Sequence, residues 1–121
     1  DFDKRLFSIS VLRYTFFMDY EFLRVAAVSP HFTANADEII KNCFECAKNG
    51  AKLIVFPELC ITGYTCGDLF LQRTLQKSAQ QELFRIARAT KDVSSIIIVG
   101  LPLATSSALN NVAAILCRGG I

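Results

Sequence analysis

The sequence predicts an α/β fold, a largely parallel sheet with helices packed on its faces. Three observations predict it. Residues 53–56 (LIVF) and 96–101 (IIIVGL) are unbroken apolar runs of strand length, rich in β-branched members, as in parallel strands covered on both faces. Two longer stretches place their apolar residues at helical spacing, one before the first of these runs and one between them. A proline follows each run, Pro57 and Pro102, and proline lacks the N–H that would continue a ladder.

Taken in order, residues 1–17 are mixed and partly aromatic, with neither a helical period nor a strict alternation. Lys4 and Arg5 before an apolar stretch mimic a secretory leader, but no small-residue cleavage site follows. Met18 is the only methionine and reads as a natural start. The expected organisation is therefore an upstream extension over 1–17 and one domain over 18–121. Residues 23–29 form the first strand, broken at Pro30, and His31 falls in a surface loop. Asn35 with Glu38 makes a capping-box start for a helix whose apolar face is Ile39, Ile40, Cys43, Phe44 and Ala47. Asn49 and Gly50 supply its C-cap. Strand, helix and strand make a βαβ unit with a right-handed crossover.

The strand at 53–56 ends at Pro57, which places Glu58 at its carboxyl end, where α/β sheets bind ligands. Gly63 and Gly67 allow a tight loop beyond it. Asp68 caps a second helix running to about Lys91, with Leu75, Ala79, Leu83, Ile86 and Ala87 on the buried face. Residues 92–95 turn, and 96–101 is a strand stopped by Pro102. A small polar loop spans 104–109, then 111–116 forms a further strand. Arg118, Gly119 and Gly120 turn toward a hairpin partner.

Composition narrows the function. The 121 residues are 52% hydrophobic, enough for a core. Thirteen basic against eleven acidic residues, a net charge of +2, leave no footprint for nucleic acid and no polybasic membrane patch. No apolar run is long enough to span a bilayer. Five cysteines, an odd number, read as reduced thiols of a cytoplasmic protein. Cys43 and Cys46 share a C-x-x-C spacing, yet they sit in a helical pattern without a second Cys/His pair, so small core residues fit better than a metal or redox site. Neither G-x-G-x-x-G nor G-x-x-x-x-G-K-[ST] occurs, which weakens a doubly wound nucleotide-binding reading.

A Pro-Glu pair alone is compatible with a solvated glutamate at a strand boundary. Phe56-Pro57-Glu58-Leu59 followed by Thr62-Gly63-Tyr64, however, resembles the first catalytic motif of the nitrilase (carbon–nitrogen hydrolase) superfamily. Residues 63–70, GYTCGDLF, look more specifically like the glutaminase domains of bacterial glutamine-dependent NAD synthetases. Residues 22–30 and 99–103 are similar to two of the family's strands. The resemblance implies the amino-terminal half of a nitrilase-type α-β-β-α sandwich, since a complete domain of that family is longer than this chain.

It also implies a Glu-Lys-Cys triad in which Glu58 is the general base, with the lysine and cysteine beyond Ile121. The portion alone is then expected to be inactive, and marginally stable because its sheet keeps a bare edge and face. Tyr64 matches a position lining the glutamine pocket, although an aromatic packing anchor serves equally well. Cys60 and Cys66 read as small loop or core residues rather than substitute nucleophiles. The implied substrate is L-glutamine. The implied partners are a synthetase domain using ATP and magnesium to amidate deamido-NAD, and further copies in a homo-oligomer, with no cofactor in these residues. Two alternatives remain: another amidase of the superfamily, or a catalytically dead homologue acting as an interaction module.

Overall fold

The computed structural model describes residues 12–18, 21–28 and 36–121. In chain order these residues form β1 (Leu12–Met18), β2 (Glu21–Ala27), α1 (Ala36–Lys48), β3 (Leu53–Val55), a 3₁₀ turn (Gly67–Leu71), α2 (Arg73–Ala89), β4 (Ile96–Ala104) and β5 (Leu109–Leu116). One five-stranded sheet runs in the order β1-β2-β3-β4-β5. Its centre is parallel, β2 with β3 and β3 with β4, as the βαβ reading requires, while both outer pairs are antiparallel.

Register decides what each face carries. Ala26, Ile54, Ile97 and Leu116 pair in one row across the sheet. All four are buried, in a core shared with Ile39 and Cys43 of α1 and Leu83 and Ile86 of α2. Both helices therefore cover this face. The adjacent row, Ala27, Val55, Ile98 and Ile115, points the other way, and there Ile115 is 58% exposed. The α/β class is as expected, but the central strands are covered on one face only among the described residues. One sheet under one helical layer is the α-β half of the expected sandwich.

The helices follow the apolar pattern with adjustments. In α1 the buried line is Ala36, Ile39, Cys43 and Cys46, and Asn42 joins it by donating from Nδ2 to the Glu38 carbonyl at 2.9 Å. Phe44 is 47% exposed instead of buried, because one residue past Cys43 the helix has already turned away from the sheet. The C-cap holds: Gly50 N–H donates to the Ala47 carbonyl and Ala51 N–H to the Cys46 carbonyl, a Schellman pair. In α2, Ala79, Leu83, Ile86 and Ala87 are buried and Leu75 is half-buried. Asp68 does not cap α2; it lies in the 3₁₀ turn, and extended Gln72 separates the two elements. The Gln76 side chain bridges the break by donating to the Phe70 carbonyl at 2.9 Å.

Two strands differ from expectation. β1 occupies residues with no recognisable period, because seven backbone pairs with the outer edge of β2 stabilise it through the ladder itself. β4 does not stop at Pro102 but continues to Ala104, with Pro102 opposite Asn111. Thr105 N–H donates to the Ala108 carbonyl, so counting back by alternation puts Pro102 at a non-hydrogen-bonded pair, where its missing N–H points away from β5. β3 has ended by then, and no ladder bond is lost. The turn at Arg118 and Gly119 forms as expected and closes a Cys117–Gly120 bridge. His31 and the Asn35 cap lie outside the described residues.

Truncation on the two faces should separate cleanly. Ile54→Ala is expected to lower stability by about 3 kcal/mol, and Ile115→Ala by no more than about 0.5 kcal/mol, compared by urea denaturation.

Candidate active site

Glu58 stands at the carboxyl end of the sheet because backbone bonds fasten its loop to β4. Phe56 N–H donates to the Ile98 carbonyl at 2.9 Å, carrying the chain one residue past β3. Pro57 then leaves the ladder. Leu59 takes φ of 52°, a left-handed conformation costly for a branched side chain, and turns the chain back. Its carbonyl accepts from Thr62 N–H at 3.2 Å and Gly63 N–H at 2.7 Å. Gly63 itself has φ of 75°, in keeping with its predicted place in a tight loop.

The loop returns to β4 at Gly100. Ile61 N–H donates to the Gly100 carbonyl at 3.2 Å, and Gly100 N–H donates to Cys60 Sγ at 3.4 Å. A Cβ on residue 100 would lie 2.5 Å from Leu59 N and 2.9 Å from the Pro57 carbonyl oxygen, both backbone atoms that cannot swing aside. Gly100 is thus a requirement for seating Glu58. Sequence reasoning took it as one more strand residue; the available signal was a glycine inside a β-branched run, which marks a close backbone approach.

The Glu58 carboxylate is exposed on the helix-free face. Its Oε1 accepts a hydrogen bond from Asn111 Nδ2 of β5. Together they border a pocket of about 250 Å³ whose other walls include Phe56, Ile98, Gly100 and Ala113. Asn111 is the second residue that sequence reading missed; it was taken only as the start of a strand. The site therefore offers a carboxyl group, an amide beside it and apolar walls.

Tyr64 is 71% exposed and is not among the pocket-lining residues. It does not act as a packing anchor for the loop among the described residues. Cys66 is half-buried and donates from Sγ to the Thr62 carbonyl at 3.3 Å. Cys60 is buried, and burial pushes its thiol up to about 11 against the ordinary 9.0. Cys43 is pushed to about 12, again chiefly by burial, with the neighbouring Cys46 and Cys60 adding to it. Cys43 and Cys46 are core side chains, as their helical spacing suggested. Among the described residues no group of three His, Cys, Asp or Glu side chains lies together as a metal site, and no helix is long and apolar enough to cross a membrane.

The sequence profile of the carbon–nitrogen hydrolases matches residues 23–121, a span containing Glu58, Gly100 and Asn111. The chain belongs to the carbon–nitrogen hydrolase family. Within it, the chain is 33% identical over 105 residues to the glutamine-dependent NAD(+) synthetase of Mycobacterium tuberculosis, covering 83% of this chain and 16% of that protein. It is 35% identical over 107 residues to the enzyme of that name from Xylella fastidiosa, covering 84% and 19%. The chain thus spans less than a fifth of the length of these relatives. Among solved structures, the glutamine-dependent NAD(+) synthetase of Cytophaga hutchinsonii superposes with a TM-score of 0.71 at 27% identity, over 81% of this chain and 17% of that one. An amidase from Nesterenkonia sp. shares the fold, with a TM-score of 0.63 at 22% identity, over 91% and 41%.

Three outcomes follow from this packing. With iodoacetamide at pH 8, Cys66 and Cys117 should label in the native chain, whereas Cys43, Cys46 and Cys60 should label only after denaturation. Above pH 9 the unfolded chain releases thiol protons that the native chain still holds, so stability should fall as pH rises from about 9 toward 12, read by urea denaturation at stepped pH. Gly100→Ala should cost about 3 kcal/mol and speed both Cys60 labelling and exchange of the Ile61 amide proton.

Proposed function

We propose that the chain is the glutaminase portion of a glutamine-dependent NAD synthetase and that Glu58 is its general base. The observation that carries this reading is the placement of Glu58: a carboxylate at the end of a buried parallel strand, bordering a pocket, within the family-matched span. The two sequence relatives named above, both glutamine-dependent NAD(+) synthetases, support glutamine as the substrate.

The chemistry requires a thiol to attack the amide carbonyl of L-glutamine. Glu58 takes the thiol proton as the sulfur–carbon bond forms, and a lysine ammonium stabilises the oxyanion. Collapse of the tetrahedral intermediate breaks the carbon–nitrogen bond, and the proton passes from Glu58 to departing ammonia. Water, deprotonated by the same carboxylate, then hydrolyses the thioester to glutamate and restores the thiol. Cys60 is unsuited to the nucleophile's part, being buried, bonded to Gly100 and far from ionised near neutral pH. In our reading the lysine and the reactive cysteine follow Ile121 in the complete protein, so these residues contribute the base and one wall of the pocket. Tyr64 is retained as a substrate contact on its motif position alone, since it does not line the pocket here. In the same reading, ATP and magnesium serve the synthetase part of the complete protein.

The test is Glu58→Gln in the complete gene product. Glutamine-driven NAD formation is expected to fall by about 1,000-fold or more, with formation from added ammonium ions unaffected. Glutamine-driven turnover within about tenfold of wild type would overturn the assignment.

A further inference from the structure

We infer that Asn111 is a positioning residue for the proton acceptor: its amide holds the Glu58 carboxylate in the orientation that meets the substrate-side thiol. The inference rests on the glutaminase reading above and extends it to a residue outside the Glu-Lys-Cys set.

Three features support it. Glu58 lies on a loop just past its strand, so its backbone is anchored while its side chain retains free torsions. A flexible base spends much of its time misdirected, and small displacements of a reacting group cost large factors in rate. Asn111, by contrast, sits within a strand whose register is set by eight pairs, Ile97↔Leu116 through Ala104↔Leu109, so its amide is placed by a rigid ladder. The two residues are 53 positions apart in sequence, and their bond ties the end of β3 to β5 across Gly100.

The chemistry of the donor fits the task. The bond engages Oε1, and among the described residues Oε2 has no partner, so one oxygen is oriented and the other is left to accept a proton. An amide is neutral. A lysine or arginine here would also orient the carboxylate, but its charge would favour the ionised form and make a poorer proton acceptor.

The test uses the complete gene product with two substitutions, Asn111→Leu, with the same heavy-atom branching and no donor, and Asn111→Asp, equal in shape but carrying a like charge toward Glu58. Glutaminase kcat should fall by about 10- to 100-fold in Asn111→Leu and further in Asn111→Asp, while KM stays within about twofold and thermal unfolding is unchanged. If Glu58→Gln is inactive but both Asn111 variants keep kcat within about twofold, the positioning role is overturned and the base assignment stands. If Glu58→Gln is active, the base assignment itself falls. A loss of kcat matched by a lowered melting temperature in both variants also overturns the inference, since it marks Asn111 as a structural residue of β5.

Discussion

Everything at the site depends on two backbones lying closer than side chains permit. The Pro57–Leu59 segment rests against Gly100 so tightly that even a methyl group would collide with main-chain atoms on the opposing loop. From that approach come the Ile61 and Cys60 bonds to Gly100, and those bonds hold the turn in which Leu59 accepts left-handed geometry. Strain at Leu59 and freedom at Gly100 are complementary. The first redirects the chain so that Glu58 leaves the strand end, and the second makes room for the redirected chain.

The sheet's register extends this constraint over a wider surface. With Ile97 facing the helices, Ile98 and Gly100 alternate onto the opposite face, and their partners Ile115 and Ala113 follow. Asn111 belongs to this same set, two residues further along β5, so it reaches Glu58 without any special backbone feature. A slip of one residue in the β4–β5 pairing would send Asn111 among the helices and leave Val112 beside the carboxylate. The core and the pocket are thus two sides of a single pairing pattern, and burial of Ile97, Val99, Leu101 and Leu116 is what fixes the pocket's chemistry.

Much of this was legible in the sequence where apolar periodicity speaks for itself. The Ile54 and Ile97 runs, the helical stripe through Leu83 and Ile86, and the Gly50 cap all announce their roles through local spacing. The position of Glu58, though not its role, is legible in the same way, because proline and strand length together place it at a strand end. Gly100 and Asn111 were not read, since their significance lies in what comes near them across 40 and 53 residues of chain. β1 was missed for a related reason: a strand added to an open edge is stabilised by ladder bonds that carry no side-chain signature. Pro102 misled because its missing N–H matters only if that side of the strand is paired, which depends on where β3 ends.

The thiols show why proximity in sequence is a poor guide to the nucleophile. Cys60 is two residues from Glu58, yet it is the residue that clamps the loop: its sulfur accepts from Gly100 N–H within the buried core. The burial that makes it a good clamp also disfavours its thiolate, holding the thiol near 11. A reactive thiol needs the opposite surroundings, namely access to substrate, a base within reach and relief from desolvation. A single sulfur cannot satisfy both demands. In the glutaminase reading proposed above, anchoring the base and attacking the amide therefore fall to different residues, and the exposed Glu58 carboxylate faces outward from the sheet, open to a thiol supplied by another part of the protein.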